Sequence, residues 1–140
     1  MKFRFHTAMM GTLGIGMNLN HMTEQELEEA AVYIAQYKSI RPIVQEGHCY
    51  RLSPPEGSDI TSMQYVGLDG QESVVFVFRH AKHFGHPALP VRLRGLDPRK
   101  RFRNEETGEV RSGQGWMTRG ISLHLTGDYD SALIRLRNLP

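Results

Sequence analysis

The hydrophobic and polar positions divide the chain into two parts that meet near Gly47. Before Gly47, apolar residues recur at the three- and four-residue spacing of an amphipathic helix. The stripe consists of Leu27, Ala30, Ala31, Ile34 and Tyr37, with the aliphatic stem of Arg41 in line. Thr23 and Glu26 have the spacing of a capping box, which predicts the start of this helix. Pro42 lacks an amide hydrogen, so the helix is predicted to kink or end there.

After Gly47, the pattern changes to short runs rich in β-branched and aromatic residues, separated by turn signals. These runs are 48–53, 62–67, 72–80, 91–96, 100–106, 120–126 and 131–138. Asp69-Gly70 and Thr107-Gly108 indicate two hairpins, and 126–130 reads as a third tight connection. The run VVFVF at 74–78 is apolar throughout, which is typical of the middle of a sheet. The pattern predicts a mainly β fold, an antiparallel β-sandwich preceded by one amphipathic helix.

Composition narrows the class of protein only a little. The chain has 140 residues, 39% hydrophobic and 23% charged, which is ordinary for a globular domain. Its net charge of +2 gives no support for nucleic-acid binding. A single cysteine, Cys49, excludes an internal disulfide. The longest apolar runs are too short to span a bilayer, and the start of the chain does not resemble a signal peptide, so a cytoplasmic protein without membrane contact is expected.

Three glycines precede the predicted helix: Gly11, Gly14 and Gly16. Their G-x-x-G-x-G order matches neither the dinucleotide fingerprint nor a P-loop, and no lysine or arginine follows before the helix. Glycines that let an apolar strand pack closely are the better interpretation. No cofactor is therefore expected.

Two clusters of polar residues suggest chemistry without supporting it. His80, His83 and His86 form H-x-x-H-x-x-H, but Gly85 and Pro87 favour a solvated loop over a metal site, and no metal is expected. The strands also carry many arginines alternating with apolar residues and matched by nearby acids, which favours ion pairs on a solvated face over a nucleic-acid surface. These arginines are Arg92, Arg94, Arg99, Arg101, Arg103, Arg135 and Arg137.

Trp116, the one tryptophan, lies in SGQGWMTRG, which reads as a turn. Next to Met117 it is expected to be a packing anchor, with stacking on a sugar ring as the alternative. The sequence gives no support for a Ser/His/Asp or a Cys/His arrangement of the kind used in nucleophilic catalysis. Cys49 and His48 are adjacent in a strand pattern, where alternation sends them to opposite faces.

Several segments together resemble a known family. FRFHTAMMGTLGIGMNL and TEQELEEAAVYIAQYKSIRPIVQEGHCYRL resemble the end of the catalytic domain of bacterial α-galactosidases of glycoside hydrolase family 36. VRLRGLDP, SGQGWMTRGI and TGDYDSALIRL resemble the C-terminal β domain of that family. The resemblance runs from about Phe3 to Leu136 and is weakest from His80 to Pro90.

The resemblance implies a (β/α)8 barrel followed by an antiparallel β-sandwich. Residues 2–10 are similar to the end of the seventh barrel helix, 13–19 to the eighth strand and 23–45 to the eighth helix. It thus predicts a remnant of a TIM-barrel strand-helix unit at 1–46 and a C-terminal sandwich domain at 47–140. This boundary agrees with the change of pattern at Gly47.

In the family, two aspartates at the ends of the fourth and sixth barrel strands carry out retaining hydrolysis of terminal α-galactosides. Both strands correspond to positions before Met1, so no catalytic residue is assigned in this chain. Asp128 and Asp130 occupy a tight turn and read as turn formers. The chain alone is therefore expected to be inactive. Gly16, Met17 and Asn18 are predicted to be part of the substrate-pocket wall in the intact enzyme, because barrel sites lie at the ends of the strands.

The leading hypothesis is a structural domain whose partner is the remainder of an α-galactosidase barrel, in the same chain or in trans. The alternative is a stand-alone carbohydrate-binding β-sandwich that stacks galactosides on Trp116, Tyr65 or Tyr129. The apolar helix stripe and the segment around Ile15 would lack their neighbours in this chain. A homo-oligomer or a partly disordered N-terminus is expected in consequence.

Overall fold

The computed structural model describes residues 1–53, 59–82 and 90–140. Within these ranges the chain forms three α-helices, a short 3-10 turn and six strands. The helices are α1 (Lys2–Met9), α2 (Glu24–Glu46) and α3 (Gly113–Arg119), and the 3-10 turn is Leu19–His21. The strands are β1 (His48–Arg51), β2 (Ile60–Val66), β3 (Glu72–Arg79), β4 (Arg101–Asn104), β5 (Val110–Ser112) and β6 (Asp130–Asn138).

The six strands form one antiparallel sheet in the order β1-β2-β3-β6-β4-β5. The predicted hairpins are present: Gly70 at φ 66° turns β2 into β3, and Gly108 at φ 73° lies between β4 and β5. Strand β3 is buried on both faces, which explains its apolar run. β6 comes last of the six in sequence but pairs with both β3 and β4. The mainly β, antiparallel prediction is confirmed.

One face of the sheet is covered by α1 and α2. The helices contribute the buried side chains of Met9, Tyr37, Ile40 and Val44, which pack against sheet residues including Phe76. The predicted capping box of α2 is present: the Glu26 amide donates to the Thr23 hydroxyl, and the Thr23 amide donates to the Glu26 carboxylate. Among the described helices, none has an apolar stretch long enough to cross a bilayer.

The other face is covered by α3 and by segments without regular strand structure. Leu93, Leu96, Trp116 and Leu125 are among the residues that pack against this face of the sheet. The runs 91–96 and 120–126, which were predicted to be strands, meet only in an isolated bridge between Val91 and Ile121. The second layer of the sandwich is therefore irregular, whereas the first is a complete sheet.

Residues 12–18 are coil, and their correspondence to a barrel strand, which the resemblance implies for 13–19, stays a prediction. Two local predictions are wrong. The prediction that α2 ends at Pro42 is wrong: the helix continues to Glu46, close to the 23–45 that the resemblance implies, because Ile40 and Val44 pack its last turns on the sheet. The alternative of a kink at Pro42 stays a prediction. Residues 113–119 form α3 instead of a turn, with the Ser112 hydroxyl accepting from the Gly115 amide at its start.

The buried stripe of α2 also differs from the predicted one. Ala30, Tyr37, Ile40 and Val44 are its buried residues, whereas Leu27, Ala31 and Arg41 of the predicted stripe are exposed. The stripe is thus displaced toward the C-terminal half of the helix, where the sheet lies. Self-association of the chain, expected from an unpartnered stripe, stays a prediction.

Candidate docking surface and sugar-binding residues

The segment between α1 and α2 is held at its first two residues and unpaired in its middle. The Tyr65 hydroxyl donates to the Met10 carbonyl at 2.9 Å, and the Tyr37 hydroxyl donates to the Gly11 carbonyl at 2.8 Å. Beyond Gly11, the backbone of residues 12–17 forms no hydrogen bond with any described residue. Backbone amides and carbonyls that have no protein partner must bond to water instead. This part of the chain is exposed along most of its length.

A cavity of about 230 Å³ lies between α1, residues 13–17 and the start of α2. It is lined mainly by apolar side chains, and Arg4 and Glu26 supply its charged groups. Ile15 and Met17 of its lining, and the nearby Leu19, are 38%, 55% and 49% exposed. Exposed apolar side chains concentrated on one surface mark an interaction site more often than scattered ones do. We call this surface, residues 13–19 with the adjoining cavity, the docking surface.

The predicted pocket-wall residues all lie on or beside the docking surface. Gly16 and Met17 line the cavity, whereas Asn18 is engaged locally, its side-chain oxygen accepting from the Asn20 amide at 3.1 Å. A Cβ atom at Gly14 or Gly16 would meet nothing within 4 Å. Their role in a substrate pocket stays a prediction.

Two of the three rings considered for sugar stacking are inside the protein. Trp116 is fully buried, its indole N–H donates to the Phe102 carbonyl at 3.0 Å, and the Arg111 guanidinium lies 4.7 Å from its ring centre. Tyr65 is buried with its hydroxyl bonded as described above. Only Tyr129 is a surface ring, 70% exposed, and its edge contacts Phe3. Trp116 is therefore a packing residue, and neither it nor Tyr65 presents a free face to a sugar.

A row of polar contacts, called the polar seam, joins α1 to β6, and no spacing pattern in the sequence predicted it. Nδ1 of the buried His6 shares a hydrogen bond with the Ser131 hydroxyl at 2.9 Å. Lys2 Nζ lies 2.5 Å from Asp130 Oδ1, and Asp130 also accepts from the amides of Thr126 and Ser131. Burial, reinforced by the Lys2 charge and opposed by Asp130, lowers the pKa of His6 from 6.5 to about 4. The seam thus holds a neutral imidazole at neutral pH.

The remaining candidates take structural positions. His80 Nε2 shares a hydrogen bond with the Thr61 hydroxyl at 3.0 Å, while His83 and His86 lie outside the described residues. Within the described ranges, no three His, Cys, Asp or Glu side chains are grouped as a metal site requires. Glu72 forms ion pairs with Arg135 and Arg137. The ion pairs expected on the arginine-rich strands are thus present in part.

With this geometry established, comparison with known proteins decides the family. The model of the "Glycosyl hydrolase family 36 C-terminal domain" matches residues 60–136, more than half of the chain. The chain belongs to glycosyl hydrolase family 36. A second family model, "Melibiase", matches residues 1–47.

Relatives in family 36 come from both bacteria and fungi. The chain is 34% identical over 139 residues to Alpha-galactosidase AgaA of Geobacillus stearothermophilus, covering 98% of this chain and 19% of that protein. It is 32% identical over 137 residues to Probable alpha-galactosidase C of Aspergillus flavus, covering 97% of this chain and 18% of the relative. The resemblance to family 36 is confirmed, whereas a bacterial origin is not established.

A solved family 36 structure matches nearly the whole chain. The crystal structure of AgaA superposes with a TM-score of 0.92 at 32% identity, over 99% of this chain and 19% of that one. The superposition includes the docking surface, which is coil in this chain. The chain thus spans about a fifth of the length of the relatives it matches.

Proposed function

We propose that this chain is the C-terminal structural part of an α-galactosidase-like glycoside hydrolase and is inactive by itself. In this proposal residues 1–46 are the last strand-helix unit of a (β/α)8 barrel, and residues 47–140 are the accessory β domain that supports it. The observation that carries it is the paired match of 1–47 to "Melibiase" and 60–136 to the family 36 C-terminal domain.

The carboxylates of the described residues support a scaffold role. Retaining glycosidases hold two carboxyl groups about 5 Å apart across the scissile bond. Here Asp130 binds Lys2, Glu26 caps α2, and Asp128 accepts from the Lys82 amide. Burial raises the pKa of Glu106 to about 7, but this residue lies in the β4–β5 hairpin, away from the docking surface. The hydrolytic pair would therefore come from the remainder of the barrel, in the same polypeptide or in a second one.

The coupling between the two parts of the chain also fits a supporting role. The α1–β6 seam and the α2–sheet core bind 1–46 to the β domain through both polar and apolar contacts. Arg135 of β6 adds a contact to the Ser39 carbonyl of α2 at 3.5 Å. A barrel that contains α1 and α2 would be braced from outside by the sheet.

An exchange of segments tests the proposal. The matched fifth of AgaA is replaced by residues 1–140, and turnover of an aryl α-galactoside is measured for the chimera and for the chain alone. AgaA rebuilt with its own segment through the same junction is the control. We expect an active chimera and an inactive chain. Turnover by the highly purified chain, or a folded chimera without activity, would contradict the proposal.

The carbohydrate-binding alternative predicts a different result. Calorimetric titration of the chain with galactose and raffinose should give no binding heat if its role is structural. Tyr129, as the exposed ring, is the residue to change if binding is seen. Binding that Tyr129→Ala abolishes would favour the alternative.

A further inference from the structure

The side of the sheet that carries α1 and α2 is covered only in part. The buried sheet residues beneath the helices belong to β2, β3 and β6, among them Tyr65, Phe76 and Leu133. Among the described residues, neither β4 nor β5 contributes a side chain to this core. Arg135 of β6 lies at the border, since its guanidinium reaches the Ser39 carbonyl of α2 at 3.5 Å. Beyond Arg135, the sheet faces the same side as the helices, and no described helix covers it.

Four arginines project from this uncovered part of the sheet. Arg103 of β4 lies directly opposite Arg137 of β6, and residues directly opposite one another share a face. Side chains two positions apart along a strand also share a face, which adds one further arginine from each strand. Phe102, the residue before Arg103, points to the other face and is fully buried there. We call this group the arginine face: Arg101, Arg103, Arg135 and Arg137.

The arginine face carries more positive than negative charge. Glu72 Oε2 lies 2.5 Å from Nη2 of Arg135, and its Oε1 lies 3.6 Å from Nε of Arg137. Glu105 Oε1 lies 3.7 Å from Nε of Arg103. Within the described ranges, four guanidinium groups thus share two carboxylates, an excess of two positive charges. Arg103 and Arg137 also repel each other, because like charges directly opposite on neighbouring strands destabilise the pairing.

The chemistry of the guanidinium group indicates what fits this surface. Its planar fork donates two parallel hydrogen bonds to a carboxylate, which a lysine ammonium cannot do. A carboxylate placed between Arg103 and Arg137 would replace their repulsion by an attraction to both. The net charge of the chain, +2, favours such a local contact over an extended surface for a nucleic acid. The arginine face therefore fits an acidic polypeptide segment.

Resting on the proposed function, we propose that the arginine face binds an acidic segment of the remainder of the barrel. Helices α1 and α2, which that barrel would contain, lie on the same side of the sheet as the arginine face. The barrel would therefore extend over this side, next to the border at Arg135. The chain covers 19% of AgaA, so most of such a barrel would lie outside the chain.

Phenylglyoxal, which modifies accessible guanidinium groups, tests whether the arginine face is covered. In the isolated chain, Arg103 and Arg137 should react readily, because their side chains are 48% and 47% exposed. In the folded AgaA chimera, they should react on the order of tenfold more slowly, as expected for charge-assisted hydrogen bonds. Arg99, whose side chain is 91% exposed and lies outside the arginine face, should react equally in both proteins. Equal rates for Arg103 and Arg137 in the two proteins would overturn the proposal.

The same reaction in the isolated chain separates the other occupants. Protection of Arg103 and Arg137 that appears with dimer formation would assign the arginine face to a second copy. Protection by a DNA oligonucleotide at physiological ionic strength would assign it to a nucleic acid. Either result would overturn the proposal.

Arg137→Gln tests whether docking reverses the contribution of this arginine to stability, and Arg99→Gln is its control. In the isolated chain, Arg137→Gln should leave the thermal midpoint unchanged or raise it, since Glu72 keeps its closer partner Arg135. In the AgaA chimera, Arg137→Gln should lower the midpoint, because the acidic segment loses a partner. Arg99→Gln should shift both proteins alike. An Arg137→Gln substitution that is no more destabilising in the chimera than in the isolated chain would contradict the proposal.

The two proposals fail in different ways. A folded chimera with protected arginines but no turnover supports the acidic partner and contradicts the proposed function. An active chimera with unprotected arginines does the reverse. A chimera that does not fold, although the rebuilt AgaA control does, contradicts both.

Discussion

Acidification from pH 7 to pH 4 should weaken the hold of α1 on the sheet through His6. The imidazole is 4% exposed and bonded to the Ser131 hydroxyl. Burial and the neighbouring Lys2 charge place its pKa at about 4 in the folded chain, against 6.5 for a free side chain. The folded state therefore binds fewer protons than the unfolded state between these values. The contribution of His6 to the stability of the fold is complete above pH 6.5 and falls as the pH drops toward 4.

The size of the effect follows from the two pKa values. Proton binding to the unfolded state at pH 4 is favoured by about 3 kcal/mol, at about 1.4 kcal/mol for each unit of difference. Asp130 acts in a lower window. Burial works to raise its pKa, but hydrogen bonds from Lys2, Thr126 and Ser131 outweigh burial and lower it below 3.8. The contribution of Asp130 is lost mainly below that value. Glu106, whose pKa burial raises from 4.5 to about 7, instead adds stability as the pH falls toward 4.5. Only the difference between the unaltered chain and a variant at residue 6 therefore isolates the loss due to His6.

Urea unfolding followed by the fluorescence of Trp116 measures this loss, because the single tryptophan is fully buried. The comparison is between the unaltered chain and His6→Asn, whose amide offers a hydrogen-bonding group near the Nδ1 position without titrating. Between pH 7 and 4, the unaltered chain should lose about 3 kcal/mol more than the variant. Parallel stability curves for the two proteins, or an NMR titration placing His6 near 6.5, would refute the reasoning.

Three further substitutions test the packing. Gly47→Ala should lower the free energy of unfolding by about 1–3 kcal/mol, because the new Cβ would lie 2.5 Å from the Val66 carbonyl oxygen. Gly14→Ala is the control, since a Cβ there would meet nothing within 4 Å. Equal unfolding midpoints for the two variants would contradict the clash. Gln64→Leu should lower the free energy of unfolding, measured in urea, by about 1–3 kcal/mol. The Gln64 side chain donates a hydrogen bond to the Arg94 carbonyl and accepts one from the Arg94 amide, and leucine can do neither. Unchanged stability would mean that water takes the place of the side-chain amide. Trp116→Phe should destabilise the fold by about 1–3 kcal/mol, because the hydrogen bond from the indole N–H to the Phe102 carbonyl is lost. Thermal unfolding followed by circular dichroism measures this change. An unchanged midpoint would exclude a role for the indole N–H.

Patterns that act locally were predicted correctly. The capping box at Thr23 and the hairpins at Gly70 and Gly108 depend on residues within a few positions of one another. The apolar run in β3 predicted a central strand, and β3 is indeed covered on both of its faces. Such features need no knowledge of distant parts of the chain.

Features decided by distant contacts were predicted less well. The two glycines in 113–115 argue against a helix, yet α3 forms because Trp116 is buried against the sheet. Pro42 is tolerated inside α2 because the following turn packs on the same surface. For the candidate site, the sequence pointed to Gly16, Met17 and Asn18 but predicted a strand whose backbone has no partner among the described residues. His6 stands alone in the sequence, and only the fold brings Ser131, 125 residues away, to its side.

The position of β6 constrains how the protein is made. It is the last strand in sequence, yet it lies between β3 and β4 and thereby joins the three-stranded unit β1–β3 and the β4–β5 hairpin into one sheet. On a ribosome, β1–β3 and the β4–β5 hairpin would emerge as two separate units with open inner edges, and they would stay separate until residues 130–138 left the exit tunnel. Open strand edges are where nascent chains aggregate. Helix α1 would also wait, since its partners Asp130 and Ser131 belong to the same late strand. The need for chaperone protection during synthesis should therefore persist almost until this strand is complete.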